Sequence, residues 1–181
     1  HEDRQSHVRY GLVPGMPQWP DTEIPAINPV QSDGLPQGLL IADIGASGAP
    51  QPLDQKNKVV RFDIDPSLPH IDVPPDTIIS FGPETDIRPT YRCDVRKIPA
   101  GDGVFDMAVA GHVLEHLPLS ESLKLLNEWA RILKPGGKLI VKVPDLRWMA
   151  KRLLDGEITA FLMHSLYGRQ TNEGEYHRSG F

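Results

Sequence analysis

The run Leu39-Leu40-Ile41-Ala42-Asp43-Ile44, followed at once by Gly45-Ala46-Ser47-Gly48-Ala49, constrains the fold of this chain more than any other stretch. Continuous branched apolar residues bounded by turn signals describe a strand covered on both faces, as strands of a parallel sheet are. The small residues after it let the backbone turn sharply and bring its N–H groups against a ligand. That position, the carboxyl end of a strand, is where α/β folds hold mononucleotide-type cofactors. The glycine pattern is incomplete, because Ser47 and Ala49 stand where stricter dinucleotide fingerprints carry glycine. Spacing strengthens the signal. Asp63 closes a second apolar run, Val59-Val60-Arg61-Phe62-Asp63, 20 residues after Asp43, the separation at which such folds place an acid for ribose hydroxyls. Asp63 also reads as a turn residue ahead of Pro66.

A chain of 181 residues suits one domain with a sizeable core. No apolar run approaches the roughly 20 residues that span a bilayer, and the charged, proline-containing start holds no signal-peptide core, so the chain reads as soluble and cytoplasmic, without membrane insertion. A single cysteine, Cys93, excludes an intramolecular disulfide and any multi-thiolate metal site. The net charge of −5 argues against general nucleic-acid binding, although a local basic patch is compatible with it. The chain begins at His1 and not at methionine, which reads as a processed protein or a piece of a longer one.

Six prolines between Pro14 and Pro36 predict an arm over residues 1–37 that is extended over the domain or partly disordered, with Trp19 as a candidate anchor and the folded domain over 38–181. Pro50 and Pro52 interrupt the first crossover, where a helix is expected to be short or missing. Residues 64–90 read as irregular, with Thr77–Phe81 as a short strand or a buried loop. Thr90–Asp94 and Phe105–Ala110 read as strands. Ser120 is positioned to cap a helix carrying Leu123, Leu126, Ala130 and Leu133 on one face, stopped by Lys134-Pro135-Gly136-Gly137. Trp129 falls beside that stripe, most simply as core. Lys138–Val143 reads as the next strand, and 146–167 as helix with a break at Gly156. The alternation predicts an α/β, Rossmann-like, mostly parallel sheet with flanking helices.

The ordered blocks Ala42-Asp43-Ile44-Gly45-Ala46-Ser47-Gly48, Phe62-Asp63-Ile64-Asp65, Cys93-Asp94-Val95, Phe105-Asp106-Met107-Ala108-Val109, His112-Val113-Leu114-Glu115-His116-Leu117 and Leu133-Lys134-Pro135-Gly136-Gly137-Lys138-Leu139 resemble the class I S-adenosylmethionine-dependent methyltransferases. The branch they resemble is methyltransferase type 11. The end of the chain, Tyr167–Gln170 to Glu175–Phe181, is similar to methyltransferases found in polysaccharide-synthesis clusters. The resemblance implies S-adenosylmethionine as cofactor. The backbone of Gly45, Ala46 and Ser47 would face its methionyl part, with Asp43 orienting the ammonium directly or through water. Asp63, or failing it Asp65, would accept from the ribose hydroxyls. Asp94 and the Val95 amide would meet the adenine, and Gly111 and His112 would lie beside the departing methyl group. The family's sheet has seven strands, and no residues here correspond to its last two, an antiparallel pair.

His112-Val113-Leu114-Glu115-His116 also spells H-x-x-E-H, a zinc-protease pattern. That chemistry needs both histidines on one helix face, whereas this motif straddles a strand end and a turn before Pro118, so no metal is expected from it. His112 is instead the candidate base or acceptor-positioning residue, with His116 buttressing the loop and His177, on the C-terminal segment, as the second catalytic candidate. Arg147, Lys151 and Arg152 read as a solvated face that could also meet a phosphorylated or sugar-nucleotide acceptor. The expected activity is methyl transfer to a small-molecule or glycan acceptor, at oxygen. The competing readings are a catalytically silent cofactor-binding or scaffolding module of a larger protein and, more weakly, a nicotinamide oxidoreductase. The sequence leaves acceptor and oligomeric state open.

Overall fold

The structure is a computed structural model that describes residues 36–46, 56–64, 69–82, 89–171 and 173–181. The expected N-terminal arm with Trp19, the crossover at 47–55 with Ser47, and Asp65 lie outside the described residues, save 36–37 at the arm's end. The strands are β1 (Leu40–Ile44), β2 (Lys58–Asp63), β3 (His70–Asp72), β4 (Thr90–Arg92), β5 (Phe105–Gly111) and β6 (Leu133–Lys142). They form one sheet in the order β3-β4-β2-β1-β5-β6. Every strand pairing in it is parallel. Among the described residues no antiparallel strand pair completes the seven-stranded arrangement.

The apolar run is central for the reason its composition suggests. Successive side chains of a strand point to opposite faces. Ala42 and Ile44 join Val60, Phe62, Ala108 and Ala110 in the larger core cluster. Ile41 joins Met107 and Val109 in a smaller one. Phe62 organises the larger face by packing edge-on against Phe81 and Phe105, at centroid distances of 5.7 and 5.9 Å, a geometry that aromatic quadrupoles favour. Helix α1 (Ser122–Arg131) covers that face with Leu125 and Trp129.

Four local expectations are corrected or refined. Helix α1 starts at Ser122 after a 3-10 turn, Leu119–Glu121, so Glu121 and not Ser120 stands at its N-cap. Its buried stripe is Ser122, Leu125 and Trp129, with Leu126 partly buried against the same core, while Leu123 is 75% exposed. Residues 134–137 do not simply stop the helix, which has already ended at Arg131. They form a bulge within β6 that places Leu133 opposite Phe105 and Lys138 opposite Met107. The stretch 64–90 is not wholly irregular, since His70–Asp72 pairs with β4 at the sheet edge and Ile79 bridges to Ala100.

Beyond β6 lie α2 (Leu146–Leu154), capped by Asp145, whose side chain accepts from the Trp148 N–H, and α3 (Ala160–Tyr167), capped likewise by Thr159. Between them Gly156 takes a φ of +83°, the expected break. Trp148 carries the Arg152 guanidinium over its ring, while Met149 packs inward. Among the described residues no helix is long and apolar enough to cross a membrane.

Candidate active site

The sheet order makes the β1/β5 boundary a topological switch point: from β1 the chain proceeds to β2 on one side and later to β5 on the other. Ligands of open α/β sheets bind at the carboxyl ends of strands beside such a point. Asp43 and Asp63, 1% and 4% exposed, lie at these ends of β1 and β2. Register fixes their spacing, because Ile44 stands opposite Phe62 on one side and Ala110 on the other.

Gly45 leaves β1 at φ +71° and donates its N–H to the Phe62 carbonyl at 2.8 Å. A Cβ there would sit 2.2 Å from Val113 Cγ2. The glycine therefore admits the 112–116 turn against the end of β1, a packing role beside the ligand role expected of it. Ala46 is 2% exposed, so its methyl belongs to the core and only its backbone is suited to face a ligand.

On the neighbouring side, the Cys93 N–H donates to the Asp63 carbonyl at 2.8 Å, carrying β4 into the turn that holds Asp94 and Val95. The Asp94 carboxylate accepts from the Arg96 backbone N–H at 2.9 Å and its guanidinium at 3.1 Å. A carboxylate offers about four lone-pair sites, so acceptor capacity remains. The Val95 carbonyl accepts from Trp129 Nε1 at 3.0 Å, which ties this turn to the core. Burial, together with the Asp94 and Asp63 charges, pushes the Cys93 thiol up to about 12. A thiol so placed is not a nucleophile near neutral pH.

β5 ends at Gly111, and His112 follows with φ +58°. Left-handed backbone costs a non-glycine residue about 1–2 kcal/mol, and the surroundings hold it there. The His112 N–H donates to the Lys142 carbonyl at 2.9 Å. Its Nδ1 lies 3.0 Å from Glu115 Oε1, so Nδ1 carries the hydrogen toward the carboxylate and Nε2 keeps the lone pair. The imidazole side chain is 64% exposed and Glu115 is 1% exposed. The hydrogen bond to Glu115 raises the His112 pKa above its ordinary value, against burial and the Lys142 charge.

Glu115 is the residue that sequence reasoning undervalued. Its Oε2 is buried with no partner, an arrangement that costs about 1–3 kcal/mol or more for a charged group. The His-x-x-Glu spacing directly after a strand end was the available signal. The C-terminal segment is stitched to the same turn. The Arg178 and Ser179 N–H groups donate to the Glu115 carbonyl at 2.7 and 3.1 Å, and Ser179 Oγ donates to the Leu117 carbonyl at 3.1 Å. His116 Nδ1 lies 3.2 Å from the Tyr176 carbonyl, so the buttress expected of His116 is directed at this segment. The His177 ring packs edge-on against His116 at 4.9 Å. Burial and then the His116 charge lower the His177 pKa.

The structure thus gathers Asp43, Gly45, Ala46, Asp63, Asp94, Val95, Gly111 and His112 along one edge of the sheet, and brings His177 to the adjacent turn. A family model described as "Methyltransferase domain" matches residues 48–141, just over half of the chain. The chain belongs to that methyltransferase family. Its fold is the α/β, Rossmann-like one the resemblance implies. Among solved structures, this methyltransferase-family chain is similar to a protein from Bacillus halodurans described as a methyltransferase, with 18% identity, 67% of this chain and 52% of that one covered, and a TM-score of 0.44. It is similar also to a Haloferax volcanii complex of the Trm112 methyltransferase activator with a methyltransferase (18% identity, 68% and 53% covered, TM-score 0.43). A third is the CurJ carbon methyltransferase (18% identity, 77% and 41% covered, TM-score 0.41). The chain spans about half the length of the first two. No curated protein matches it.

Proposed function

We propose that residues 38–181 form a catalytic unit that binds S-adenosylmethionine along the carboxyl edge of β1, β2, β4 and β5 and transfers its methyl group to an oxygen of a small-molecule or glycan acceptor. The observation that carries this reading is the convergence of buried Asp43 and Asp63 with the Gly45 turn and the exposed His112 at one switch point of a parallel sheet. The donor set fits the cofactor: a carboxylate at the end of β2 for two hydroxyl donors, and a Val95 N–H that donates to no protein acceptor among the described residues. When bound, the sulfonium supplies an electrophilic methyl group.

The residues of the chain supply the rest. Asp63 accepts the ribose hydroxyls, Asp94 and Val95 hold the adenine edge, and Asp43 draws the ammonium to the Gly45–Ala46 backbone. Transfer requires alignment of acceptor oxygen, methyl and sulfur, and such positioning accounts for much of the rate in reactions of this kind. His112 is fixed at two points, its N–H on Lys142 and its Nδ1 on Glu115, which leaves Nε2 aimed outward to hold the acceptor hydroxyl and take its proton. His177 lies against His116 at the adjacent turn. The likeness of the C-terminal stretch to methyltransferases of polysaccharide-synthesis clusters supports a glycan among the acceptors.

Calorimetric titration with S-adenosylhomocysteine, with a nicotinamide dinucleotide as control, tests the reading. Micromolar binding of the former alone is expected. Asp63→Ala should weaken it at least about tenfold, the loss of one or two charge-assisted hydrogen bonds, while circular dichroism stays unchanged. Equal affinity in variant and parent would remove Asp63 from the site, and preference for the dinucleotide would overturn the proposal. Binding without turnover on any hydroxyl acceptor would favour the silent module instead.

A further inference from the structure

The methyl-transfer reading uses His112 of the H-x-x-E-H motif and Glu115 as its partner, yet the fold builds something further from the second half of the motif. Glu115, His116 and His177 each present one ligand atom, and these atoms all lie within 4.8 Å of one another. The geometry points to a binding site for one divalent transition-metal ion of the zinc class, with Glu115, His116 and His177 as its protein ligands. The site shares Glu115 with the methyl-transfer reading, which uses the other carboxylate oxygen to hold His112.

Three observations carry it. First, Glu115 Oε2 is buried without a hydrogen-bond partner, in a residue 1% exposed. A buried carboxylate oxygen in that state calls for a cation or a donor, and the neighbouring groups are two imidazoles. Second, the remaining polar atoms of Glu115 and His116 are held as those of ligands are. Glu115 Oε1 is held by His112 Nδ1. The Tyr176 carbonyl only accepts, so His116 directs an Nδ1–H at it and keeps its lone pair on Nε2. Hydrogen bonds behind the ligands, to a carboxylate or a backbone carbonyl, are what fix tautomer and ring orientation in metal sites. Third, the third ligand is delivered by tertiary structure. Gly168, at φ +77°, bridges to Tyr176, and the His177 N–H donates to the Tyr167 carbonyl at 3.1 Å, which presents His177 to the turn.

Two imidazoles and one carboxylate form a set that zinc accepts with a fourth position open. Imidazole donors exclude calcium and magnesium, which take oxygen ligands. Zinc bonds of about 2.0–2.1 Å bring tetrahedral ligand atoms to roughly 3.3 Å apart, so the two rings close inward on the fixed carboxylate. The first histidine of the motif is then not a ligand, as it would be in a zinc protease, but the partner that orients one. The consequence is a clasp: the ion joins the 114–116 turn, beside the methyl-donor end of the sheet, to the C-terminal segment.

The test is calorimetric titration of the chain with zinc sulfate, alongside cobalt(II) titration followed by its visible bands. The expected result is one ion per chain with four-coordinate cobalt bands. His177→Ala and Glu115→Gln should each lower affinity at least tenfold, whereas His164→Ala, on the exposed face of α3, should not. Zinc should also slow amide exchange over 176–179 in the parent and not in His177→Ala, a readout that keeps the test valid if Glu115→Gln folds poorly. No binding, or binding and exchange unaffected by His177→Ala, would overturn the site. Neither readout depends on S-adenosylhomocysteine, so failure here and failure of the proposed methyl transfer are separately visible.

Discussion

Two glycines in left-handed backbone, Gly45 at φ +71° and Gly168 at φ +77°, make turns that admit no side chain, yet they serve different kinds of structure. A Cβ on Gly45 would meet Val113 Cγ2 at 2.2 Å, and one on Gly168 would meet the Glu175 carbonyl oxygen at 1.7 Å. Gly45 sits between strands whose apolar side chains are buried on both faces. Gly168 joins α3 to a segment held mainly by backbone bonds at the rim. The first turn is part of the core, and the second is a stitch onto it. Local free energies of opening in one protein range from near zero up to the global value, according to how much apolar contact an element has.

The substitution with the largest expected effect is Gly45→Ala. It adds left-handed strain of about 1–2 kcal/mol to overpacking of about 1–3 kcal/mol against Val113, and should lower the urea-unfolding free energy by about 2–5 kcal/mol in one cooperative transition. A loss below about 1 kcal/mol would show that the 112–116 turn is not locked to β1. Gly168→Ala meets backbone, which cannot rotate away, but should act locally: faster amide exchange at 176–179, unchanged protection in β1 and β5, and about 1 kcal/mol or less from the global transition. Equal loss of protection in the sheet would mean that the two regions unfold as one.

An effect on the global transition of the same order as that of Gly168→Ala is expected at Asp106, beyond either turn. Its Oδ1 accepts from Lys134 Nζ at 2.7 Å and its Oδ2 from the Leu40 N–H at 2.9 Å, joining the β6 bulge to the start of β1. The lysine first, and then the amide, hold its pKa below the ordinary carboxylate value. A depressed carboxylate stabilises the fold above its unfolded pKa of about 3.9, and the contribution is lost as pH falls through the folded value. Asp106→Ala should therefore cost about 1 kcal/mol at pH 7, with the difference from the parent shrinking below about pH 4. A difference that does not change with pH would assign the effect to packing and not to charge.

The strands and the acids at their carboxyl ends were legible in the sequence because their signals are local. β1, β2, β4 and β5 follow from apolar runs, and Asp63 and His112 stand at strand ends that those runs define. The start of α1 was misread for an equally local reason, since Ser120 offers a cap but the 3-10 turn at Leu119–Glu121 delays the helix to Ser122, while its inward stripe of Leu125 and Trp129 is decided by packing on the sheet. Strand β3 was missed because three residues amid prolines show no period.

By itself, the sequence determined a parallel α/β sheet with small residues and acids at its carboxyl edge, since a period of two and glycine chemistry act over a few residues at a time. It did not determine the surroundings of Glu115. Whether that carboxylate faces water, His112 or a histidine from the end of the chain depends on contacts between segments far apart in sequence, and no periodicity encodes them. Only the tertiary structure, through the stitching of residues 176–179 onto the 114–117 turn, brought His177 to Glu115 and His116 and turned part of an unpromising motif into a cluster with a cation's geometry.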